Sequence, residues 1–301
     1  MKPIVVVGSY LTGVTMRVDR LPKIGETVAG SRYQRVPGGK GSNQAVAVRR
    51  LGGKASIVAC VGSDEDGDQA MAMWLREGVD TDQVRRTSKH TGLGFVMVDG
   101  EGANSIVIDP GASWELAPSD IERASGTIAR SGIMLVQLEI PPETVAAARR
   151  IAKERGLTVI LNPAPCVGGG ADLSGVDIVT PNEEEFRELT GEAEFEPGAK
   201  ALLARGAGAV VVTLGSRGAR VMTRGDSYSV PAPSVRAVDS TGAGDAFNGA
   251  LAVALSEGEP LRQAVRFANY AGALCATKAE VVAAIPRRGE VDGFLRSDPL
   301  E

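Results

Sequence analysis

Short apolar segments alternate with longer amphipathic segments along most of this chain, and this alternation restricts the possible folds most strongly. The short segments are rich in β-branched residues and poor in charge, as expected of strands buried on both faces of a parallel sheet. They lie at residues 4–7, 55–61, 133–138, 157–161, 176–179 and 209–214. Apolar residues recur at helical spacing over 42–51, 68–77, 119–130, 142–155, 183–189, 198–205, 245–256, 261–277 and 290–295. The alternation predicts an α/β fold of three layers with a mainly parallel central sheet, and residues 220–230 read as a hairpin at its edge.

Two stretches depart from the alternation and have the half-polar pattern of antiparallel hairpins. One covers residues 15–36 with a turn at 22–25, and the other covers 92–108 with the turn-rich linker Asp99-Gly100-Glu101-Gly102. A small sheet with one apolar face needs a cover. We therefore predict one domain over residues 1–301, with a β-sheet lid built from insertions at about 12–36 and 91–109. The lid is expected to close on the substrate or to pair with a second subunit, as a homodimer.

Charge and cysteine content limit the partners of the chain. Its 301 residues include 33 Lys and Arg against 37 Asp and Glu, a net charge of −4, so no basic surface is available for nucleic acid or an anionic membrane. Cys60, Cys166 and Cys275 are far apart and there is one histidine, which disfavours zinc or a disulfide framework. No apolar run reaches the length of about 18 residues that a membrane span needs. We expect a cytoplasmic protein that acts on a small polar molecule.

The segment VDSTGAGDAF at residues 238–247 feeds a predicted helix through a glycine-rich turn. Amides at a helix start lack intrahelical partners and face the positive end of the dipole, so Gly242, Ala243 and Gly244 are placed to bind an anion such as phosphate. Asp245 then lies beside the line along which a hydroxyl would attack that phosphate, which makes it a candidate base. The alternative is that Asp245 only stabilises the first helical turn.

A second glycine-rich segment, PGGKGSN at residues 37–43, also precedes a predicted helix. It lacks the spacing of a Walker A loop, and by itself it also fits a plain turn with a helix cap. Together, PGGKGSNQAVA and DSTGAGDAFNGAL resemble the two signatures of the ribokinase-like (PfkB) carbohydrate kinase family, in the same order. The resemblance runs from Val5 to about Phe294. It implies an ATP-dependent phosphotransferase that acts on a hydroxymethyl group of a small sugar.

The resemblance also implies a set of site residues. Asp245 corresponds to the base and the amides of Gly242, Ala243 and Gly244 to the anion hole. Residues that correspond to sugar ligands are Gly38, Gly39, Lys40, Asn43 and Glu139. Residues that correspond to the ATP site are Asn182, Thr213, Gly215, Ser216 and Gly218, with Asn269 near the adenine. Glu185, with Asn182, would order Mg²⁺ through water, although the same pair fits a simple helix cap.

Two departures from the family pattern bear on the substrate and on a second cation. The family's Asn and Asp after the first strand fall here on Leu11 and Gly13, and a glycine has no side chain to accept a bond from a sugar diol. The resemblance therefore leaves ribose in doubt as the acceptor. Asp239 matches a ligand of a monovalent cation, but residues 280–284 read EVVAA where the family has a Gly-Ala-x-x-Ser type segment. A potassium requirement is accordingly doubtful.

Three alternatives to a kinase of a simple sugar stay open from the sequence. The same chemistry on a nucleoside or a modified acid sugar would suit the roomier, more apolar site that Leu11 and Gly13 suggest. A sugar-binding sensor without catalysis is a second alternative, and the presence of Asp245 argues against it. A nicotinamide-dependent oxidoreductase is disfavoured because no GxGxxG follows the first strand.

Overall fold

This computed structural model describes residues 1–101, 104–166 and 172–297, and within them the strands form a nine-stranded and a four-stranded sheet. The strands are β1 (Ile4–Val7), β2 (Leu11–Val18), β3 (Gly30–Gly38), β4 (Ala55–Gly62), β5 (Asp80–Thr87), β6 (Gly92–Val98), β7 (Asn104–Asp109), β8 (Ile133–Val136), β9 (Thr158–Leu161), β10 (Ile178–Val179), β11 (Ala209–Thr213), β12 (Ala219–Thr223) and β13 (Ser227–Val230). The helices are α1 (Lys40–Arg50), α2 (Glu65–Glu77), α3 (Pro118–Arg123), α4 (Ser125–Arg130), α5 (Pro142–Glu154), α6 (Glu183–Thr190), α7 (Phe195–Ala204), α8 (Ala243–Ser256), α9 (Leu261–Cys275), α10 (Val281–Ala284) and α11 (Arg288–Ser297).

The nine-stranded sheet has the order β13-β12-β11-β10-β9-β8-β1-β4-β5. All neighbours between β11 and β5 in this order pair in parallel. Strand β12 pairs antiparallel with both β11 and β13. The predicted mainly parallel sheet with a hairpin at one edge is confirmed. In such a sheet the carboxyl ends of the parallel strands share one edge, where ligands usually bind.

Helices cover both faces of this sheet, because successive side chains of a central strand enter different cores. In β1, Ile4 and Val6 belong to a core shared with α1, α2, α8 and α9, whereas Val5 and Val7 belong to a core shared with α3 to α7. All four of these side chains are fully buried. Burial on both faces explains the continuous apolar run and gives the three layers that the sequence predicts.

Two features differ from the sequence prediction. Strand β5 was not predicted, since its sequence DTDQVRRT is mostly polar. It lies at the sheet edge, where half-exposed polar side chains are tolerated, and Arg85 pairs there with Asp120 of α3. The single helix predicted over 119–130 is two helices, which meet at Ala124 just before Ser125 and Gly126, two residues of low helix propensity.

The four-stranded sheet, called the small sheet below, has the order β3-β2-β6-β7. The pairs β2–β3 and β6–β7 are antiparallel, as the two predicted hairpins require. Strands β2 and β6 pair in parallel, so the two distant insertions form one sheet, a link that sequence periodicity does not reveal. Gly13 and Gly94 are partners in this parallel ladder and share one face.

Both faces of the small sheet carry exposed apolar side chains. Phe95 and Val107 are cross-strand partners on one face, with 50% and 64% of their surface exposed. Ile106 and Ile108 of β7 alternate with Val107 and lie on the face of Gly13 and Gly94, and both are also exposed. An exposed apolar patch of this kind usually covers or contacts something else.

Across the described ranges, no helix combines the length and the apolar character that crossing a membrane would require. The three cysteines are free, and Cys60 and Cys275 are buried. Burial raises the pKa of Cys60 to about 11 and that of Cys275 to about 12, so both thiols are protonated at neutral pH.

Candidate active site

The starts of α1 and α8 meet over the carboxyl edge of the nine-stranded sheet. Asn43 Nδ2 in α1 donates to Asp245 Oδ2 in α8 at 2.9 Å. Gln44 Nε2, the next residue along α1, donates to Asp245 Oδ1 at 3.1 Å and to Asn162 Oδ1, just after β9, at 3.2 Å. The two glycine-rich segments, about two hundred residues apart in sequence, therefore belong to one site.

The start of α8 is open to an anion. Gly242, at φ 81°, ends the preceding loop in the left-handed region, and no side chain caps the helix. Among the described residues the amides of Gly242 and Gly244 have no hydrogen-bond acceptor, whereas Ala243 N donates to Ser240 O at 3.1 Å. A Cβ built on Gly244 would meet no atom within 4 Å. Two of the three predicted anion-binding amides are thus unoccupied, and the third makes a turn.

Asp245 is buried in the first turn of α8, with 6% of its surface exposed. Both of its oxygens accept from α1 side chains rather than from the α8 amides, so the carboxylate does not serve as the cap of its own helix. Burial raises its pKa, against the opposing effects of Lys40, Asn43 and Gln44. A buried carboxylate with an elevated pKa is better suited to accept a proton than an exposed one.

The start of α1 is packed tightly against the chain that follows β1. Gly39 has φ 87°, and a Cβ there would lie 2.7 Å from Tyr10 Cα and 2.8 Å from Leu11 N. A Cβ on Gly41 would lie 2.6 Å from Ser9 N. Both positions therefore need glycine because backbone approaches backbone, which is more than a plain turn requires. Gly38, the last residue of β3, pairs with Leu11.

Glu139 and Lys40 border the same junction. Glu139 Oε2 accepts from the Lys40 amide at 2.8 Å and from the Ser9 hydroxyl. Burial acts to lower the pKa of the Lys40 ammonium, but the carboxylates of Asp245, Glu139 and Glu185 outweigh it and the net shift is upward. These carboxylates act on Lys40 only through longer-range charge interactions, and no ion pair found among the described residues includes it, so this cation remains available to a ligand.

Asn182 and Glu185 form the reciprocal helix cap that the sequence left as an alternative. Asn182 N donates to Glu185 Oε2 and Glu185 N donates to Asn182 Oδ1, each at 2.8 Å. Glu185 Oε1 makes no hydrogen bond within the described residues, and burial raises the pKa of this carboxyl. The cap therefore leaves one oxygen of Glu185 for another partner, and Asn182 bridges to Thr213 at the end of β11.

The residues assigned to the nucleotide lie around the turn after β11. Gly215 begins a short 3₁₀ turn and Ser216 is exposed within it. A Cβ on Gly218, at φ 87°, would lie 2.1 Å from Val230 O, so this position requires glycine. Asn269 Nδ2 in α9 donates to Val230 O at 2.9 Å and to Pro231 O at 3.2 Å. That amide group holds the chain after β13 in place instead of pointing toward a ligand.

The structure also places the residues that bear on the second cation and on the missing sugar ligands, namely Asp239, Leu11 and Gly13. Asp239 Oδ1 accepts from Thr241 N at 2.9 Å and from Thr241 Oγ1 at 2.6 Å, which shapes the loop before α8. Leu11 is buried, and a Cβ on Gly92 would lie 2.4 Å from its Cδ2 atom. A Cβ on Gly94, the partner of Gly13, would have Ile108 Cγ1 at 4.0 Å as its nearest neighbour. The open space is therefore at Gly94, whereas a Cβ on Gly13 would lie 3.1 Å from Val36 Cγ2.

A set of buried polar residues beneath the site was not singled out by the sequence analysis. Its members are Gln44, Gln137, Asn162, Thr180 and Asn248. A signal was present, because each of the five either interrupts an apolar helix face or directly follows a buried strand, where a polar side chain needs a partner. The quoted signatures contain Gln44 and Asn248, but the resemblance assigns no role to these two positions, and Gln137, Asn162 and Thr180 lie outside the signatures.

Comparison with known proteins agrees with this geometry. The model of the pfkB family of carbohydrate kinases matches residues 1–288. A ribokinase of Haemophilus influenzae is 38% identical over 301 residues, 98% of each chain. The crystal structure of a ribokinase from Thermotoga maritima superimposes with a TM-score of 0.91 at 37% identity, over 98% of this chain and 100% of that one. An Arabidopsis thaliana ribokinase, solved with ribose and ATP, gives 0.87 at 33% identity over 98% and 99%. The chain is thus a member of the pfkB family of carbohydrate kinases.

Proposed function

We propose that this protein transfers the terminal phosphoryl group of ATP to a hydroxymethyl group of a small sugar. The observation that carries the proposal is the pairing at the start of α8 of unoccupied amides with a buried carboxylate, Asp245. Amides that face solvent at a helix start suit the phosphate, and the carboxylate suits the hydroxyl proton. The Arabidopsis thaliana relative, whose structure holds ribose and ATP, supports ATP and a small sugar as the two substrates.

In the proposed reaction, Asp245 accepts the proton of the sugar hydroxyl as that oxygen bonds to the γ-phosphorus. The bond between this phosphorus and the oxygen that becomes part of ADP breaks in the same step. The amides of Gly242 and Gly244 stabilise the negative charge on the transferred group, and Ala243 N can join them if its turn to Ser240 opens. Because phosphoryl transfer has a loose transition state, positioning of the two oxygens contributes more than the basicity of the carboxylate.

The acceptor is proposed to lie between Asp245 and the start of α1. Asn43 Oδ1 is buried there and has no hydrogen-bond partner in the described part of the chain, so it is an acceptor ready for a sugar hydroxyl. Lys40 contributes an unpaired cation, and Glu139 contributes a carboxylate held in place by the Lys40 amide. Gly38 and Gly39 are proposed to contact the sugar through their backbone, on the side away from Leu11, which lies close to where a Cβ would stand at both positions.

ATP is proposed to lie along Thr213, Gly215, Ser216 and Gly218, with Asn269 fixing the chain beside the adenine. The residues present also fit Mg²⁺, since the second oxygen of Glu185 is not used by the helix cap. Residues that could surround a metal without water or phosphate are not found within the described ranges, as suits an ion held mainly by phosphates and water. Asn182 and Glu185 would hold Mg²⁺ through water, and when bound it neutralises phosphate charge.

The monovalent cation is a weaker part of the proposal. Asp239 Oδ1 is already used by Thr241, and Ala276 O accepts the amides of Val238 and Asp239. Ala284 has no hydroxyl to contribute. We therefore propose little or no dependence of activity on potassium, to be measured by exchanging potassium for tetramethylammonium in the assay.

The small sheet is proposed to be a lid over the acceptor and the contact surface of a homodimer. The face with Ile106 and Ile108 would cover the acceptor, and the face with Phe95 and Val107 would meet a second copy. Light scattering of the wild type should give twice the chain mass, and Phe95→Asp should give a monomer. A wild type that is monomeric at micromolar concentration would remove the dimer from the proposal.

The decisive experiment for the proposed function is ADP release from ATP with a panel of acceptors. The panel contains ribose, 2-deoxyribose, other small sugars, nucleosides and acid sugars, and mass spectrometry identifies the phosphorylated product. We expect one acceptor with a hydroxymethyl group to stimulate ADP release strongly. Binding of sugars without ADP release from any acceptor would instead favour a sensor.

The lack of a side-chain acceptor at Gly13, the ladder partner of Gly94, favours an acceptor other than ribose. Without a carboxylate at position 13, the two hydroxyls of a ribose diol lose their acceptors, and 2-deoxyribose or a nucleoside loses less. Gly13→Asp should raise kcat/KM for ribose by about tenfold relative to that for 2-deoxyribose. Gly94→Asp, on the neighbouring strand, is the matched control and should not favour ribose. If Gly13→Asp and Gly94→Asp change the ratio of kcat/KM for ribose to kcat/KM for 2-deoxyribose equally, position 13 does not select the acceptor.

A further inference from the structure

We propose that Gln44 is a positioning residue that holds the Asp245 carboxylate in the orientation needed for proton transfer. This inference rests on the proposed role of Asp245 as the base. Gln44 is fully buried and lies on α1 next to Asn43. Its amide nitrogen donates to Asp245 Oδ1 at 3.1 Å, while Asn43 donates to Oδ2 at 2.9 Å. Each oxygen of the base therefore has a separate donor.

The direction of the Gln44 amide is itself fixed by its neighbours. Gln137 Nε2, directly after β8, donates to Gln44 Oε1 at 2.6 Å. With the Gln44 oxygen used in this way, its nitrogen must face the other side, where Asn162 Oδ1 and Asp245 Oδ1 are its two acceptors. The two amide hydrogens match the two acceptors, so a flipped amide would break three hydrogen bonds.

The same network returns to the start of α8 by a second route. Asn162 Nδ2 donates to Thr180 O at 3.2 Å, and Thr180 Oγ1 donates to Asn248 Oδ1 at 2.7 Å. Asn248 Nδ2 then donates to Gly244 O at 2.8 Å. One connected set of buried amides thus holds both the carboxylate of Asp245 and the peptide next to it, whose neighbouring amide faces the proposed phosphate.

This arrangement has a consequence for the chemistry. If Gln44 occupies Oδ1, the carboxylate cannot rotate about its Cβ–Cγ bond, and Oδ2 keeps its place beside Asn43 and the proposed acceptor. Without Gln44 the carboxylate would lose both its orientation and a donor that stabilises its ionised form. Charged or titratable groups facing Asp245 from the other elements are Lys40 on α1, Glu139 after β8, Glu185 on α6 and Cys275 on α9.

The test is the pH profile of kcat for Gln44→Leu and Gln44→Glu in the full-length enzyme, with the acceptor found by the ADP-release panel. Gln44→Leu should lower kcat at pH 7 by about 10- to 100-fold, with KM for ATP changed less than about threefold. The acidic limb of the pH profile of kcat should move to higher pH by about one unit, since a donor to the carboxylate is lost. Gln44→Glu keeps the shape of the side chain and adds a negative charge next to Asp245, so the acidic limb should move to still higher pH.

Ser42→Ala is the matched control. Ser42 is also fully buried on α1, and its hydroxyl accepts from Trp74 Nε1 at 2.9 Å, away from Asp245. This variant should lose thermal stability without any movement of the acidic limb. If Gln44→Leu lowers kcat but leaves the limb where Ser42→Ala leaves it, Gln44 is only a packing residue and the proposal is overturned.

A second variant covers the case in which Gln44→Leu does not fold. Gln137→Leu removes the donor that sets the Gln44 amide, so the limb should move in the same direction by a smaller amount, with kcat lowered by about threefold. An unmoved limb in this variant would also overturn the proposal. Failure of the proposed function itself gives a different result, namely a wild type without ADP release from any acceptor.

Discussion

The starts of α1 and α8 look alike in sequence but differ in what fills them. At α1, Gly39 and Gly41 face the backbone of Ser9, Tyr10 and Leu11 at distances that leave no room for a side chain. At α8, Gly244 faces empty space and the amides of Gly242 and Gly244 are unpaired within the described residues. Glycine thus joins two parts of the protein at α1, whereas at α8 it leaves room for a ligand.

The difference teaches that a glycine-rich helix start is not by itself an anion site. The α1 start has the dipole and the glycines, yet its space is taken by the chain after β1, and its first amide, that of Lys40, donates to Glu139. What distinguishes α8 is the absence of nearby backbone around Gly244. The contrast is testable, because substitutions at the two sites should fail for different reasons.

The largest effect is expected at the carboxylates of the two starts. Asp245→Asn should lower kcat by about a hundredfold or more with little change in ATP binding, because the proton acceptor is removed. Glu139→Gln, at the α1 start, should mainly raise KM for the acceptor. Steady-state kinetics with calorimetry for ATP measures both. Equal losses of kcat in the two variants would erase the distinction between the starts.

The next effect concerns stability at α1. Gly39→Ala should lower the free energy of unfolding by about 3–4 kcal/mol, because the methyl group meets backbone and φ is positive. Gly156→Ala is the control for φ alone, since Gly156 has φ 74° with no atom within 4 Å of a Cβ. It should cost about 1–2 kcal/mol. Urea unfolding of both variants gives the comparison, and similar costs would mean that the α1 junction is loosely packed.

A smaller and opposite effect is expected at α8. Gly244→Ala should raise the free energy of unfolding by about 0.5–1 kcal/mol, since alanine favours the helix. It should also lower kcat/KM for ATP by about tenfold, since the methyl group intrudes on the phosphate. Gly289→Ala, in α11 with no atom within 4 Å of its Cβ, should stabilise without changing kinetics. Unchanged activity in Gly244→Ala would place the phosphate elsewhere.

The smallest effect is a movement of the pH profile. Burial raises the pKa of Asp245, so kcat should fall on an acidic limb whose midpoint lies above the usual aspartate value. The charge of Glu139 contributes to this elevation, so Glu139→Gln should move the limb to lower pH. Lys40, whose pKa is raised, stays charged through neutral pH and produces no basic limb there. If the acidic limb does not move in Glu139→Gln, the charge of Glu139 does not act on Asp245.

The sequence predicted those elements whose burial leaves a periodic pattern. Apolar strands such as Ile4–Val7 were recognised because burial on both faces makes them continuously apolar, and the two hairpins because polar and apolar residues are mixed along them. Strand β5 was missed because charged residues at a sheet edge hide the strand pattern. The parallel contact between β2 and β6 was also missed, since it joins segments that no local rule connects.

The candidate site was predictable in part for the same reason. The motifs located both helix starts, but not that one is filled and the other open, because that depends on residues brought near by the fold. Gln44 was passed over since its role arises from Gln137 and Asn162, which follow two different strands. The spacing of residues 182–185 fitted both a cap and a metal site, and the structure shows the cap.

The small sheet is attached to the rest of the chain at four places, because each of its two hairpins continues into the main part of the protein at both of its ends. Two of these attachments pass through Gly39 and Gly111, which have φ of 87° and 50° and backbone atoms within 3 Å of where a Cβ would stand. The ladder between β2 and β6 ties the two hairpins into one body. Such a body cannot swing on a single hinge. Any opening of the proposed lid must therefore be shared among four bends, which limits its travel.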